Sequence, residues 1–253
     1  MGGSGSKAVQ GTLKQKNLVL FGAPGVGKGT YGKLIHKEFG FPTFSMGDYF
    51  RKVISEGAPD NATEEQRAFV NNLKDTLAKG HFVSDEMAIE VIKNARSTTY
   101  ADTEVLIFDG MPRTIAQAEM LKKHEIGVDL IFNFTNRDDI LLEKLMGRRV
   151  CPCCNRNYNI AAIDRDGYFM KALLPDGDPT KCGDCEDSTL VIRDDDKEHI
   201  IKERMEIYRT MTEPILDFYK DSDKTQLINF EAKKGVDDFP QMKKLLEDAL
   251  AKI

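Results

Sequence analysis

A glycine-rich stretch has the composition of a phosphate-binding loop: residues 22–30 read Gly-Ala-Pro-Gly-Val-Gly-Lys-Gly-Thr. An apolar run precedes it and a helical pattern follows it, so backbone N–H groups and the positive end of a helix dipole meet there. Lys28 would reach the β- and γ-phosphates of a nucleotide, and the Thr30 hydroxyl would hold a phosphate oxygen or a magnesium-bound water. Gly29 separates Lys28 from Thr30, whereas the strict pattern places Ser or Thr directly after the lysine, and the glycine spacing does not match the dinucleotide fingerprint. The stretch therefore predicts a polyphosphate site.

Four cysteines form two Cys-x-x-Cys pairs, Cys151 with Cys154 and Cys182 with Cys185, and the fifth, Cys153, lies inside the first pair. This spacing is typical of a tetrahedral zinc site, although the two pairs are further apart than the roughly 15–20 residues usual in such sites. Free thiols, disulfides and a Cys151–Cys153 pairing are the alternatives, but a disulfide framework would distribute its cysteines over the whole chain. We expect a structural, non-catalytic zinc ion, because four thiolates leave no open position and the polar segment around them has no core of its own.

Continuous apolar runs of strand length recur along the chain, and helical patterns separate them. The runs occupy residues 18–21, 105–108, 129–134 and 226–230. They predict a parallel sheet whose two faces are both covered. Helices are expected near residues 28–38, 63–79, 84–97, 114–123, 138–146, 197–219 and 236–251. Three aspartates at 194–196 would lie favourably in the first turn of the 197–219 helix.

Between residues 147 and 193 the periodicity is lost in a segment rich in Gly, Pro, Asp and Cys. The chain therefore has the pattern of an α/β protein with an inserted small domain. It has 253 residues, 36 of them Lys or Arg and 41 Asp or Glu, with a formal net charge of −5. This balance disfavours broad binding to nucleic acid or anionic membranes, and no apolar segment is long enough to span a bilayer. We expect a globular, cytoplasmic protein without a nucleic-acid partner.

Residues 1–16 are rich in Gly, Ser, Lys and Gln and predict a flexible segment. Gly2 and Ser6 match the pattern for N-myristoylation. A Gly-Gly-Ser-Gly-Ser sequence is also typical of a linker, and both interpretations stay open. A single myristoyl chain would give only weak, reversible membrane attachment and no stable insertion.

Several motifs together resemble those of the adenylate kinases and related nucleoside monophosphate kinases. They span roughly residues 17–251 and are, in order, the loop at 22–30, Ser45-Met-Gly-Asp48-Tyr-Phe-Arg51, Gly80-His-Phe-Val83-Ser-Asp85, Asp109-Gly-Met-Pro-Arg113-Thr-Ile-Ala-Gln117-Ala-Glu, Gly147-Arg148-Arg149 before the cysteines, and Arg193-Asp-Asp with Arg204 after them. The resemblance implies a P-loop NTPase core with a parallel five-stranded sheet at residues 17–146 and 193–253. It also implies a helical NMP-binding segment at 45–84 within the core and an inserted four-cysteine LID domain at 147–192.

This resemblance implies the reversible transfer ATP + AMP = 2 ADP, with magnesium, in a monomer. A phosphoryl group in flight carries charge on its oxygens, so such a site needs clustered cations and exclusion of water. The catalytic residues implied are Lys28, Arg113, Arg148, Arg193 and Arg204. Asp109 would hold magnesium through water.

The two nucleotides have separate implied residue sets. The set for ATP is Gly25, Val26, Gly27, Lys28, Gly29, Thr30, Arg148, Asn157 and Tyr158. The set for AMP is Met46, Arg51, His81, Phe82, Val83, Gly110, Met111, Pro112, Arg113, Gln117, Arg193 and Arg204. Within the second set, Arg51 and Arg113 would grip the phosphate of AMP, and Gln117 would read the adenine edge.

Three positions depart from the family pattern and keep alternatives open. Met46 replaces the usual Thr and Met111 the usual Phe, both beside the monophosphate pocket, so a UMP/CMP kinase is one alternative. Lys144 stands where bacterial members have an arginine that stacks on the ATP base. A lysine lacks the planar face, so a GTP:AMP phosphotransferase is another. A nucleic-acid-binding zinc ribbon is disfavoured because residues 151–190 contain few basic or aromatic side chains among several aspartates.

Overall fold

The computed structural model describes residues 15–185 and 188–253. Within them the strands are β1 (Lys16–Gly22), β2 (Thr43–Ser45), β3 (Val105–Asp109), β4 (Leu130–Thr135), β5 (Arg148–Val150), β6 (Asn157–Asn159), β7 (Ile163–Arg165), β8 (Tyr168–Met170) and β9 (Gln226–Glu231). Five of them form one parallel sheet in the order β2-β3-β1-β4-β9, and β5–β6 and β7–β8 are antiparallel hairpins. The predicted α/β fold with a parallel five-stranded sheet is confirmed.

Helices connect these strands and cover the sheet. They are α1 (Lys28–Phe39), α2 (Met46–Glu56), α3 (Glu64–Ala78), α4 (Asp85–Ser97), α5 (Ile115–Lys123), α6 (Asp138–Met146), α7 (Glu198–Ile207), α8 (Ile215–Lys220) and α9 (Phe239–Leu250). Short 3₁₀ turns lie at Asp194–Asp196 and Gly235–Asp238, and a π-helical turn lies at Tyr208–Thr212. No helix in the described part of the chain is long and apolar enough to cross a membrane.

The core lies on both faces of the sheet, as the unbroken apolar runs require. Along β1, Val19 and Phe21 pack into one cluster while Leu18 and Leu20 pack into the other. This alternation is the period of two that a strand imposes on its side chains. Because buried apolar side chains cover both faces of the sheet, we expect the polar functional groups at the ends of the strands.

Three strands end together at one edge of the sheet. In register, Leu20 of β1 and Ser45 of β2 both lie opposite Asp109, the last residue of β3. The loops that follow parallel strands at this edge form the usual binding crevice of an open α/β sheet. The glycine-rich loop, the start of α2 and the segment after Asp109 are therefore brought together.

The expected helix over residues 197–219 is interrupted. Its first half ends in the π-helical turn Tyr208–Thr212, and Pro214 begins a separate short helix. Proline lacks the N–H that a continuous helix would use. The turn also brings the Thr212 hydroxyl to the carbonyl oxygen of Arg113, to which it donates at 2.9 Å, so a tertiary contact accompanies the departure from regular helix geometry.

Strand β2 and helix α2 were not predicted individually. Strand β2 has only three residues, too few for a periodic pattern. Helix α2 follows it directly and begins with the Ser45 hydroxyl accepting from the N–H of Asp48. The predicted flexible segment and the acylation pattern lie outside the described residues except for two positions: Gln15 bonds to the carbonyls of Tyr100 and Thr103, and Lys16 begins β1.

Candidate active site

The loop between β1 and α1 depends on glycine. Gly22 has φ 134°, and Gly27, directly before α1, has φ 115°. A Cβ on Gly22 would lie 2.3 Å from the carbonyl oxygen of Phe134, so no larger residue fits there without a backbone shift. The N–H groups of Thr30 and Tyr31 donate to the Gly27 carbonyl at 2.9 and 3.0 Å. The first turn of α1 is thus formed, and the positive end of its dipole faces the loop.

Lys28 crosses this loop with its ammonium group half-buried. It donates to the carbonyl oxygens of Gly22 at 2.7 Å and Ala23 at 3.1 Å. Enclosure in the cleft lowers the pKa of Lys28 to about 8, while the negative charge of Asp109 acts in the opposite direction. Asp109 extends toward the same loop, with Oδ2 3.8 Å from the position of a Cβ on Gly29. Enclosure raises the pKa of Asp109, and Lys28 opposes that rise.

One large cleft opens above the loop. It is lined by all residues that the resemblance implies for ATP: Gly25, Val26, Gly27, Lys28, Gly29, Thr30, Arg148, Asn157 and Tyr158. The same cleft is lined by Asp109 and by Arg51, Arg113, Arg193 and Arg204. Lys28 and five arginines from separate parts of the chain therefore surround one space.

Three of these arginines are held by two buried carboxylates. Asp195 accepts from Arg193 at 2.8 and 2.5 Å and lies 3.0 Å from Arg204. Asp196 accepts from Arg148 at 2.7 Å and from Arg204 at 3.4 Å. Burial alone would raise the pKa of Asp195, but Arg204, Arg193 and Arg148 lower it to about 2. The guanidinium groups, which would repel one another, are held together by these ion pairs.

The sequence-based interpretation of residues 194–196 as helix-end carboxylates was wrong. They form a 3₁₀ turn of their own before α7, and Asp195 and Asp196 are buried. A buried carboxylate needs partners, and the arginines supply them. The sequence did contain a signal for these ion pairs, because the acidic run directly follows Arg193, which was predicted to be catalytic.

A second, smaller pocket lies beside the cleft, and Arg113 lines both spaces. We call it the monophosphate pocket. Its lining includes Met46, Gly47, Leu77, His81, Phe82, Val83, Ala88, Gly110, Met111, Arg113 and Gln117. The Arg113 guanidinium lies 5.0 Å from the Phe82 ring centroid, and its Nε donates to the Gly110 carbonyl at 3.0 Å. Met46 and Met111, the two methionines that differ from the family pattern, are both buried here.

The remaining predicted AMP residues do not share one location. Arg51, paired with Asp48 at 2.5 Å, lines only the large cleft. Pro112 is buried after a cis peptide bond and lines neither of the two spaces. The His81 imidazole is half-exposed, and its Nε2 lies 2.9 Å from Oε1 of Glu203 on α7. The structure therefore gives the His81 side chain a contact across the molecule that the sequence did not predict.

Two other residues that line the large cleft, Lys144 and Tyr158, form hydrogen bonds within the protein. The Lys144 ammonium donates to the carbonyl oxygen of Val26 at 3.0 Å and to Asn136 Oδ1 at 3.3 Å. Burial lowers the pKa of Lys144 to about 8. The Tyr158 hydroxyl accepts from the N–H of Gly183 at 3.0 Å, so this ring lines the cleft while its hydroxyl contacts the second cysteine pair. Lys144 thus braces the phosphate loop.

The four paired cysteines converge. The Sγ atoms of Cys151, Cys154, Cys182 and Cys185 all lie within 4.8 Å of one another, and those of Cys154 and Cys182 are 3.7 Å apart. Tetrahedral zinc with Zn–S bonds of about 2.3 Å would set its sulfurs about 3.8 Å apart. The donor set and spacing fit zinc. Cys153 is exposed and lies outside this group.

Comparison with known protein sequences points to the same kind of site. The family model for adenylate kinase matches residues 20–224. An adenylate kinase of Hydrogenobaculum is 37% identical over 84% of this chain and 92% of its own. A probable chloroplastic adenylate kinase of Arabidopsis thaliana is 35% identical over 92% of this chain and 76% of its own, and a GTP:AMP phosphotransferase of Plasmodium falciparum is 32% identical over 90% and 95%. A phosphate loop, a shared arginine cluster and matches of this extent place the chain in the adenylate kinase family.

Proposed function

We propose that this adenylate kinase binds the triphosphate of ATP on the loop at residues 22–30 and transfers the γ-phosphoryl group to AMP in the adjoining monophosphate pocket. The products are two ADP, and the transfer is reversible. The observation that carries the proposal is the convergence of Lys28 and five arginines on one cleft that shares Gly47 and Arg113 with a second pocket. Clustered, pre-positioned cations are what a transferring phosphoryl group requires.

Each cation has a role that follows from its position. Lys28 would exchange its two loop carbonyl partners for β- and γ-phosphate oxygens. Arg113 borders both spaces and, with Arg51, would hold the phosphate of AMP. Arg148, Arg193 and Arg204 would surround the transferring group, positioned by Asp195 and Asp196 as described above. The ion pairs fix the donors before substrate arrives, so little reorganisation is needed during transfer.

Asp109 is the residue suited to magnesium. Its carboxylate lies at the end of β3 beside the phosphate loop, and oxygen ligands are those that Mg²⁺ prefers. Magnesium supplied with ATP would neutralise part of the phosphate charge. Asp109 would orient its water ligands, and Lys28, close enough to affect the pKa of this carboxyl, would share the remaining negative charge.

Residues 147–192 would act as a lid over ATP, and residues 45–84 as a cover over AMP, on a core of residues 17–146 and 193–253. Asn157, Tyr158 and Met170 of the insertion line the same cleft as the phosphate loop, so closure of the insertion would shield the site from water. We propose that zinc on the four paired cysteines holds this lid together. A monomeric state, a cytoplasmic location and N-terminal acylation remain predictions from the sequence.

GTP is a second candidate donor. The Lys144 ammonium is directed to a loop carbonyl and to Asn136, so the residue that would flank the donor base offers neither a planar face nor an unengaged charge. One similar protein is named a GTP:AMP phosphotransferase. Donor choice is therefore to be measured separately from acceptor choice.

A substrate matrix tests the proposal. AMP, dAMP, CMP, UMP and GMP are each incubated with ATP or GTP and magnesium, and the products are separated by chromatography. We expect ADP from ATP and AMP to form fastest. Faster transfer from GTP would establish the second candidate, and a preference for CMP or UMP would move the assignment to another monophosphate. Absence of transfer from every pair, with folded protein, would overturn the enzyme function.

A further inference from the structure

The side-chain amide of Gln117 is fixed in one orientation. Its Oε1 accepts from the backbone N–H of Arg113 at 2.7 Å, and its Nε2 donates to Oδ1 of Asp85 at 2.8 Å. A backbone N–H only donates and a carboxylate only accepts, so both contacts specify the same assignment of oxygen and nitrogen. Rotating the amide by half a turn would place two donors together at Arg113 and two acceptors together at Asp85.

Asp85 is itself held in place by a neighbouring helix. It is the first residue of α4, and the same Oδ1 also accepts from the Thr114 hydroxyl at 2.9 Å, directly before α5. Thr114 in turn accepts from the N–H of Gln117 at 3.0 Å. Gln117 is only 2% exposed and lines the monophosphate pocket. The Asp85 carboxylate at the start of α4 thus fixes the orientation of the Gln117 side-chain amide on α5.

The fixed amide leaves one position free at each end. Oε1 has a second lone pair and Nε2 a second N–H, which together offer one acceptor beside one donor. Adenine presents the complementary edge, an exocyclic amino group beside an unprotonated ring nitrogen. Hypoxanthine is nearly the same size but presents a carbonyl beside an N–H, which would oppose the fixed amide at both positions.

We propose that Asp85 is a positioning residue that selects amino-bearing over carbonyl-bearing bases in the monophosphate pocket by fixing the orientation of the Gln117 amide. The inference rests on the proposed function, in which Gln117 contacts the base of the phosphoryl acceptor. Cytosine shares the amino-and-ring-nitrogen edge with adenine, so the hydrogen bonds reject carbonyl-bearing bases and the size of the pocket must separate AMP from CMP.

The test is the ratio of kcat/KM for AMP to that for inosine monophosphate, with ATP and magnesium. We expect the ratio to exceed about 100 in the native protein, because a site built to hydrogen-bond one edge strongly rejects its mismatch. In Asp85→Ala and Asp85→Asn it should fall at least about 10-fold, since neither variant holds a carboxylate against Nε2 and only the Arg113 N–H then opposes rotation of the amide. The asparagine variant conserves size and carries the test if the alanine variant does not melt cooperatively.

Glu86→Ala is the matched control, because Glu86 is an exposed acidic residue in the same first turn of α4. It should leave the ratio unchanged. If the native protein uses AMP and both Asp85 variants keep the native ratio of kcat/KM values, the inference is overturned and the proposed function stands. An equal fall in Glu86→Ala would also overturn it, by assigning the effect to charge at the helix end. A native protein that transfers nothing to AMP would overturn the proposed function and the inference together.

Discussion

At the scale of single residues, three of the five arginines of the cleft depend on Asp195 and Asp196, to which the sequence analysis gave a different role. The five arginines were predicted from motifs, because a motif records residue type and spacing. The pairing of Arg148, Arg193 and Arg204 with Asp195 and Asp196 depends on how a 3₁₀ turn faces β5 and α7, which no local pattern records. The Asp85–Gln117 contact escaped prediction for the same reason: it joins two helix starts that are distant in sequence.

Replacing Arg113 or Arg148 with alanine should lower kcat by about 10³-fold, because each removes a cation positioned for the transferring group or the acceptor phosphate. The rate of ADP formation and a thermal melt are measured on the same preparations. Arg209→Ala is the control, since Arg209 forms a surface pair with Asp138 and should retain native turnover. Near-native turnover in either cleft variant would contradict the assigned roles.

The lowered pKa of Lys28 predicts proton uptake when ATP binds. Free Lys28 loses its proton near pH 8, and contact with phosphates raises its pKa, so between the two values the complex holds a proton that the free protein lacks. Calorimetric titration in two buffers of different protonation enthalpy should show greater uptake at pH 9 than at pH 7.5. Lys28→Arg should abolish this increase, because a guanidinium stays protonated throughout. An equal increase in the variant would assign the proton to another group.

At the scale of elements, the hairpin β7–β8 is anchored to the end of β9 and to the segment that follows it. The Tyr168 hydroxyl donates to Oε1 of Glu231 at 2.6 Å, and the N–H of Phe169 donates to the Lys233 carbonyl at 2.8 Å. The following Met170 packs at Gly235, which lines the same cleft as the phosphate loop. The hairpin and one wall of the cleft therefore share one set of contacts.

Tyr168→Phe removes one of these contacts and should raise the KM for ATP roughly 5-fold, since a hydrogen bond to a charged acceptor contributes on the order of 1 kcal/mol or more to the docked position. The KM for AMP should change less. Phe169→Leu is the control, because the Phe169 side chain is 53% exposed and its backbone contact is kept. Equal changes in the two KM values would show that the hairpin does not act on the donor site.

The cysteine group makes a prediction about metal content. Cys182→Ser should lose bound zinc, whereas Cys153→Ser should keep about one zinc per chain, because only the former removes one of the four converging thiols. Elemental analysis of the purified proteins measures this. Chelation of the native protein should also melt the insertion before the core. Equal zinc content in both variants, or an unchanged melting profile after chelation, would contradict a structural zinc site.

Elements were predictable where a local pattern was long enough. The strands β1, β3, β4 and β9 came from largely apolar runs, which are typical of a parallel sheet covered on both faces. The three-residue β2 carries too little pattern to be recognised alone. The interrupted helix after residue 197 followed from Pro214 and a π-helical turn whose Thr212 hydroxyl reaches Arg113, a contact that helical periodicity does not encode.

At the scale of the whole molecule, the order of motifs along the chain translates into one site because parallel strands end at a common edge. The loop after β1 supplies the polyphosphate cradle, the segment after β3 supplies Asp109 and Arg113, and the insertion after α6 supplies Arg148. The sheet places these groups side by side although they are distant in sequence. Asn157, Tyr158 and Met170 line the same cleft.

The most direct measurement is the stoichiometry of product formation. ATP, AMP and magnesium are incubated with the protein, and all three adenine nucleotides are quantified by chromatography over time, with a parallel reaction that lacks AMP. We expect two ADP for each AMP consumed, and stable ATP when AMP is absent, because the proposed lid at residues 147–192 would exclude water as a competing acceptor. Consumption of ATP without AMP, or no ADP from the complete mixture, would contradict phosphoryl transfer between the two nucleotides in this cleft.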